Sequence, residues 1–321
     1  MDKIKEKIIE ILHKNSYYSG QQLSDKLGIS RTAVWKHIQD LKDKGYIINS
    51  KHGRGYLLKS SPDLMLAEEL KWRLNTDIFG CEIEHHMSIA STNKRAKELA
   101  DKNYPEGTII IAEEQTEGRG RRGREWISPV GKGLWFSLIV RPRFIPAMAP
   151  FLTIIASLSV SLSIKELNLN PVIKWPNDIL INGKKACGIL SELKAEMDRI
   201  EYGIVGIGIN VNQSNFSEEI KKKATSLSLE KREQVDRIDL FKNLVNNFEK
   251  YYLKLNNDEY DELINKWKYE LSEIGKRVRL DSGDKIYQGE VVDVSSKGEL
   301  IVNTDKEGIK KFWAGDTSII K

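Results

Sequence analysis

Three apolar runs in the middle of the chain stand too close together to be joined by helices. They are Val172–Trp175, Ala186–Lys194 and Tyr202–Asn212, whereas two parallel strands need a crossover of a dozen or more residues. Asn182-Gly183, near the end of Asp178-Ile-Leu-Ile-Asn-Gly-Lys184, is the residue pair that a type I′ hairpin turn demands. Two further runs, Thr108–Gln115 and Gly133–Val140, precede them. The spacing therefore predicts an α+β fold built on a mixed, largely antiparallel sheet.

At 321 residues the chain exceeds what one hydrophobic core usually holds. The seryl-prolyl punctuation Ser60-Ser-Pro-Asp63, followed by a helical stretch from Leu64 to Leu74, suggests a first domain over 1–62. The sheet-bearing domain then occupies 63–273. Residues 274–321, with short alternating runs and turns at Ser282-Gly283 and Lys297-Gly298, suit a small β-barrel. The most apolar stretch, Phe151 to Leu169, is interrupted by Thr153, several serines, Lys165 and Glu166. It reads as a core helix, and no membrane partner is expected. Two cysteines without metal-ligand spacing and an N-terminus without an apolar leader point to a cytoplasmic protein.

Charge is unevenly distributed. Residues 1–60 carry a net +6 and the remainder a net −1, so the whole basic excess lies in the first domain. Ile4, Ile8, Ile11 and Leu12 recur at helical spacing. Ser19 and Gln22 fit a capping box, and Ser30 caps a third helix from Arg31 to Lys44 that Gly45 ends. Strands at Tyr46–Asn49 and Tyr56–Leu58 flank the basic tip Lys51-His-Gly-Arg-Gly55. This is the order of a winged helix-turn-helix, with Ser30, Arg31, Thr32 and Lys36 facing a major groove and Lys51 and Arg54 on flanking phosphates. The competing reading is a three-helix interaction module with a solvated basic face. His13, His37 and His52 read as surface or backbone-contact residues.

The chemistry concentrates in the middle domain. Gly118-Arg-Gly-Arg-Arg-Gly-Arg124 interleaves conformationally free glycines with planar cationic forks suited to phosphate and carboxylate oxygens. Ser91-Thr92-Asn93 opens a helix, Gln115 ends a strand, and Lys174-Trp-Pro-Asn-Asp178 packs a cation, an indole and two short polar groups together. Lys184 and Lys185 lead into Gly188-Ile-Leu190, and Gly203-Ile-Val-Gly-Ile-Gly-Ile-Asn210 is a strand whose glycines allow close approach. Singly, each has an ordinary structural explanation: a helix cap, a packed turn, a bulge, a solvated lysine. A glycine- and arginine-rich tract by itself is as compatible with RNA binding. No phosphate-cradling Walker loop, serine elbow or metal-ligand cluster is present.

Taken in order, Gly118–Arg124 with Trp126, Lys174–Asp178, Lys185 with Gly188-Ile-Leu190, and Gly206-Ile-Gly-Ile-Asn210 resemble the biotin–protein ligase family. The N-terminal winged helix narrows this to the bifunctional type that resembles the biotin-operon repressor. The resemblance implies a class II synthetase-like central domain and an SH3-like C-terminal barrel. It also implies activation of biotin by ATP with Mg2+ to biotinyl-5′-AMP, then transfer to a lysine of a biotin carboxyl carrier domain. The loop is the family's lid over this intermediate, which must be kept dry because it is a mixed anhydride.

By the same resemblance, Arg121 and Lys185 carry the chemistry. Ser91, Thr92, Asn93, Gln115, Gly118, Arg119, Gly120, Trp126, Gly188, Gly206 and Gly208 surround biotin, with Trp135 as a second wall for its tail. Arg122, Arg124, Lys174, Asn177, Asp178, Asn210 and Phe216 fall on the nucleotide side, and Phe216 is the only aromatic in the adenine-covering stretch 212–226. Mg2+ would lie near Asn177 and Asp178; Asp178 could equally support a subunit contact. The adenylate is also the family's corepressor, favouring a homodimer on operator DNA, to which the segment Arg141–Met148 would contribute. Two alternatives stand beside this: a biotin-sensing transcription factor without efficient transfer, and a lipoate–protein ligase-like enzyme.

Overall fold

The computed structural model describes residues 3–196 and 199–320. They fall into two compact units that divide between Leu74 and Asn75.

In the first unit, α1 (Lys3–Leu12), α2 (Gly20–Leu27) and α3 (Arg31–Asp43) precede a hairpin of β1 (Ile47–Lys51) and β2 (Gly55–Ser60), then a short α4 (Ala67–Lys71). Ile8, Ile9, Leu12, Leu23, Val34, Ile38 and Leu41 are fully buried in one cluster, so the helical periodicity marks the inward faces. Ser19 and Gln22 form a reciprocal capping box, and the Ser30 hydroxyl accepts from the Ala33 amide. Each such cap is worth about 1 kcal/mol.

The helix expected over 64–74 is reduced to α4, and it packs within this unit. Leu66 joins the same core, and buried Glu69 accepts from Ser61 Oγ at 2.6 Å. His13, expected at the surface or against backbone, lies 3.1 Å from Glu69 and 4.7 Å from the Trp72 ring. A carboxylate buried on one helix explains the correction, because it needs a donor from its neighbour.

The second unit runs β3 (Ile83–His86), α5 (Thr92–Asp101), β4 (Ile109–Ala112), β5 (Gly133–Val140), α6 (Pro150–Lys165), β6 (Pro171–Lys174), β7 (Asp178–Ile181), β8 (Lys184–Ala195), β9 (Ile200–Asn210), α7 (Leu227–Lys231), α8 (Arg237–Asn256) and α9 (Tyr260–Glu270). The strands form one sheet in the order β3-β4-β5-β9-β8-β7-β6. The β3–β4 pair is parallel and every other pair antiparallel, so the sheet is mixed as the spacing predicts. Asn182 and Gly183 both take positive φ at the β7–β8 turn, as a type I′ hairpin requires.

Residues Pro146–Lys165 form a helical stretch of 20 residues, long and apolar enough by length and composition alone to cross a membrane. Its α6 portion is the core helix nonetheless. Phe151, Ile155, Val160 and Ile164 are fully buried, and Ser157, Ser159 and Ser163 donate to carbonyls of their own helix. On the same side of the sheet, Phe241 of α8 meets Phe136 of β5 edge to face at 5.2 Å. Buried Arg237, in the first turn of α8, pairs at 2.8 Å with Glu113 just beyond β4. Removing either partner alone would cost about 3–5 kcal/mol. On the opposite face, α5 covers Ile110, Ile139 and Ile204 with Ala96, Leu99 and Ala100, leaving the rest of that face open.

The chain ends in a five-stranded antiparallel sheet of β10 (Arg277–Asp281), β11 (Ile286–Val294), β12 (Leu300–Thr304), β13 (Gly308–Phe312) and β14 (Asp316–Ile319), ordered β13-β12-β11-β10-β14. Val278, Leu280, Val291, Leu300 and Val302 form its buried side.

Candidate active site

Register between the central strands makes the floor of a cavity of about 470 Å³. Trp135 pairs with Gly208, which pairs with Gly188; Ser137 pairs with Gly206, which pairs with Leu190. Directly opposite residues share a face, so these all point to the side that α5 leaves open. A Cβ on Gly206 would stand 2.0 Å from Asn93 Oδ1, and one on Gly208 2.5 Å from Trp126 Nε1. The glycines thus let an amide and an indole lie flat on the sheet. Trp135 is fully buried behind Trp126, with ring centroids 6.4 Å apart, so it supports the wall and does not itself line the cavity.

One end of the cavity is neutral and rich in hydrogen-bonding groups. Ser91 caps α5, its hydroxyl accepting from the Lys94 amide, and thereby presents Thr92 and Asn93. Gln115 Oε1 accepts from the Thr92 amide at 2.9 Å, and its Nε2 donates to Ser128 Oγ at 3.1 Å. Isolated bridges from Gln115 to Ile89 and Ser128 hold it just outside β4, which is shorter than the expected strand 108–115.

The other end is cationic. Lys185 Nζ lies 2.6 Å from Asp178 Oδ1 and 5.1 Å above the Trp126 ring. Arg121 Nη1 donates to Asn177 Oδ1 at 3.2 Å and to the Gly315 carbonyl at 3.4 Å. Burial pushes the Arg121 guanidinium below its ordinary range, against the opposing pull of Asp316 and Asp178. It is a partly desolvated cation whose direct hydrogen-bond acceptors are neutral, which leaves it able to take an anion. The loop around it is a tight turn: the Trp126 amide donates to Gly118 O at 2.9 Å and the Gly120 amide to Arg124 O at 2.7 Å. Arg119, Gly120 and Arg124 line the cavity beside Arg121.

Several expected residues sit elsewhere. Arg122 turns away from the cavity to the C-terminal sheet, donating to Asp316 Oδ2 at 3.5 Å and to the Asp281 carbonyl at 3.4 Å. Arg124 also pairs with Asp316. Lys174, at the end of β6, is not among the lining residues. Gly118 is buried beneath the loop, where a Cβ would stand 2.3 Å from Trp126 O. The Asn210 and Asn177 amides donate to the carbonyls of Thr225 and Ile189, so their nitrogens serve the fold. In the segment Arg141–Met148, Pro142 and Phe144 are buried while Arg143 and Ile145 are exposed.

Sequence reasoning did not find Ser128, Ser137, Glu192, Ile220 or Asp316. Residues 223–225 pair with the start of β8, the Lys185 amide donating to Lys223 O at 2.7 Å and the Thr225 amide to Lys185 O at 2.9 Å. This brings Phe216 and Ile220 over the cavity. Ile220, an apolar residue inside a lysine-rich stretch, was the available signal; Asp316 offered none.

In the first unit, Arg31, Thr32 and Lys36 are exposed on one helix together with Trp35, which is 55% exposed, and Lys51 and Arg54 are exposed at the hairpin tip. Ser30 is committed to its cap.

Residues 86–210 match the Biotin/lipoate A/B protein ligase family, residues 5–57 an HTH domain, and residues 274–319 the Biotin protein ligase C terminal domain. The chain is 40% identical over 321 residues to the bifunctional ligase/repressor BirA of Bacillus subtilis, covering 98% of each chain. It is 30% identical over 312 residues to that of Escherichia coli, covering 96% of this chain and 94% of that one. Among solved structures, the biotin protein ligase from Aquifex aeolicus in complex with biotin and ATP aligns with a TM-score of 0.66 at 32% identity, over 75% of this chain and 99% of that one. With a cavity running from paired amides to half-buried cations, and a helix-turn-helix earlier in the sequence, the chain belongs to the biotin–protein ligase family, in its bifunctional ligase/repressor branch.

Proposed function

We propose that the cavity binds biotin with its ring at Ser91, Thr92, Asn93 and Gln115 and its carboxylate toward Lys185 and Arg121, and joins that carboxylate to the α-phosphate of ATP. The observation that carries this reading is the gradient along one cavity. Neutral donors and acceptors suit a cyclic urea, and a partly desolvated cation 3.2 Å from Asn177 suits a phosphate. Lys185 offsets the negative charge that develops as the carboxylate attacks, and pyrophosphate leaves. The loop 118–124 then screens the mixed anhydride from water until the ε-amine of a carrier-domain lysine takes the biotinyl group and AMP departs. Phe216 and Ile220 supply the apolar cover for adenine.

Mg2+ would be carried by the nucleotide's phosphates and would offset their negative charge. Among the described residues no group of three or more His, Cys, Asp or Glu side chains is placed to hold a metal, and Mg2+ commonly binds through one or two carboxylates plus substrate phosphates. Asp178 and Asn177 offer a carboxylate and an amide oxygen on that side. The test is to incubate the full chain with labelled biotin, ATP, Mg2+ and a biotin carboxyl carrier domain, following pyrophosphate and label together. Label on the carrier is expected. Pyrophosphate without carrier label would mark a sensor without transfer, and competition by lipoate in place of biotin would mark a lipoate ligase.

The first unit is the operator-binding module, used as a homodimer when the adenylate is bound. Its exposed basic side chains neutralise backbone phosphates. Arg31→Ala and Arg54→Ala each lower operator affinity, and each flattens the dependence of log K on log[salt] by about 0.9 for every phosphate the arginine neutralises. Gel-shift titrations from low to high salt measure both. An unchanged slope would remove that residue from the interface.

A further inference from the structure

The acceptors that hold Arg121 come from different sheets. Asn177 stands in the turn between β6 and β7, and Gly315 in the turn that leads into β14. A guanidinium held from two sides keeps its direction only while those turns keep their spacing. One group that fixes the spacing lies outside the cavity.

Glu273, between α9 and β10, is 1% exposed and is not among the lining residues. Its own segment is fastened to the central sheet, where the Ser272 amide donates to Ile173 O at 2.8 Å. Glu273 Oε2 accepts from the Trp175 amide at 3.3 Å and from Ser272 Oγ at 2.9 Å. Its Oε1 accepts from Thr317 Oγ1 at 2.7 Å. Trp175 is two residues before Asn177, and Thr317 is two after Gly315. One carboxyl therefore spans the same gap that Arg121 spans.

Burial pushes this carboxyl above its ordinary range, and the Thr317 hydroxyl, the Trp175 amide and the Ser272 hydroxyl pull it back. Apolar side chains would join two sheets without that opposition. Hydrogen bonds, with their narrow range of lengths and angles, fix a spacing that apolar contact leaves soft. Other ties keep the sheets together when the carboxyl is removed. The Trp175 indole donates to Gly298 O at 3.3 Å, far along the chain from Gly315, and the Thr317 hydroxyl also lies 3.4 Å from Trp175 O.

We propose that Glu273 is a positioning residue for adenylate formation and retention: its carboxyl ties Trp175 to Thr317 and so sets Asn177 and Gly315 at the spacing that aims Arg121 into the cavity. This rests on the reading of the cavity given above and deepens it. The Asp316 pairs with Arg122 and Arg124 grip the same turn, but they are part exposed and contribute little.

The experiment forms labelled adenylate on the full chain from biotin and ATP and follows its release into excess unlabelled ligand. Glu273→Ala and the nearly isosteric Thr317→Val are each expected to release it about threefold to tenfold faster, the scale of one misaligned hydrogen bond. Biotin affinity, measured by calorimetry, stays within about twofold, because the amide end of the cavity belongs to other elements. Glu273→Gln keeps the slow rate: its carbonyl accepts from Trp175, and its amide donates to Thr317, whose hydroxyl turns to Trp175 O. In an Arg121→Gly background, adding Thr317→Val changes release by less than about twofold, because the tie acts through Arg121. Unchanged release in Glu273→Ala or Thr317→Val, fast release in Glu273→Gln, or equal acceleration with and without Arg121 overturns the proposal alone. Failure of the unaltered chain to form the adenylate overturns it together with the reading beneath it.

Discussion

Arg121→Gly releases the adenylate on the order of 10–100 times faster than the unaltered chain, the range expected for deleting a charge-assisted hydrogen bond to phosphate. The expectation follows from where the guanidinium sits. It is held by Asn177 and the Gly315 carbonyl, two neutral acceptors, while burial weakens its hydration. Phosphate oxygens add a direct charged acceptor where Asn177 and the Gly315 carbonyl are neutral, Asp316 and Asp178 acting on the guanidinium only through their field. Biotin affinity changes less, since the hydrogen-bonding groups at Thr92 and Gln115 belong to other elements. The prediction is checked by forming the adenylate in place, chasing with unlabelled ligand, and measuring free labelled biotinyl-5′-AMP over time. An unaltered release rate would dismiss the loop as a lid.

Lys185→Ala slows pyrophosphate release from biotin and ATP by about 10²–10³-fold, the usual effect of deleting one group aimed at developing transition-state charge. Lys185 is a cation at the charged end of the cavity, between Asp178 at 2.6 Å and the Trp126 face at 5.1 Å. Its removal also leaves the Asp178 carboxylate facing the incoming phosphates, so the effect combines a missing attraction with a new repulsion. Asp178→Asn added to Lys185→Ala separates the two, recovering the repulsive part. Pre-steady-state pyrophosphate release is the measurement, and a single-turnover rate within about twofold of the unaltered chain would exclude Lys185 from the first step.

Local patterns in the sequence told most about the elements whose form they determine. Asn182-Gly183 can do little but turn a hairpin, and the apolar spacing of α1 and α3 marks the buried faces of the first unit. The four-residue β3 has no room for a period to show, and its parallel pairing with β4 depends on residues elsewhere in the chain. The site followed the same division. Thr92, Asn93, Gln115, Arg121 and Lys185 lie in short motifs whose composition betrays them, and the fold gathers them around one cavity. Ser137, Glu192 and Asp316 are single polar residues in ordinary surroundings. They matter because strand register and the arrival of the C-terminal sheet set them against groups 44, 99 and 192 residues away, and no local pattern records that.

The grip of Asp316 and Asp281 on Arg122 and Arg124 has a consequence during synthesis. Translation delivers the arginine turn first and its anchor 192 residues later, and domains fold in the order they emerge. A ribosome-bound chain thus has its cavity floor, and the Arg121 hydrogen bond to Asn177, before the C-terminal contacts to the turn exist. The turn gains these contacts only once β14 lies against β10, so the strand made last is one of those that tie it down.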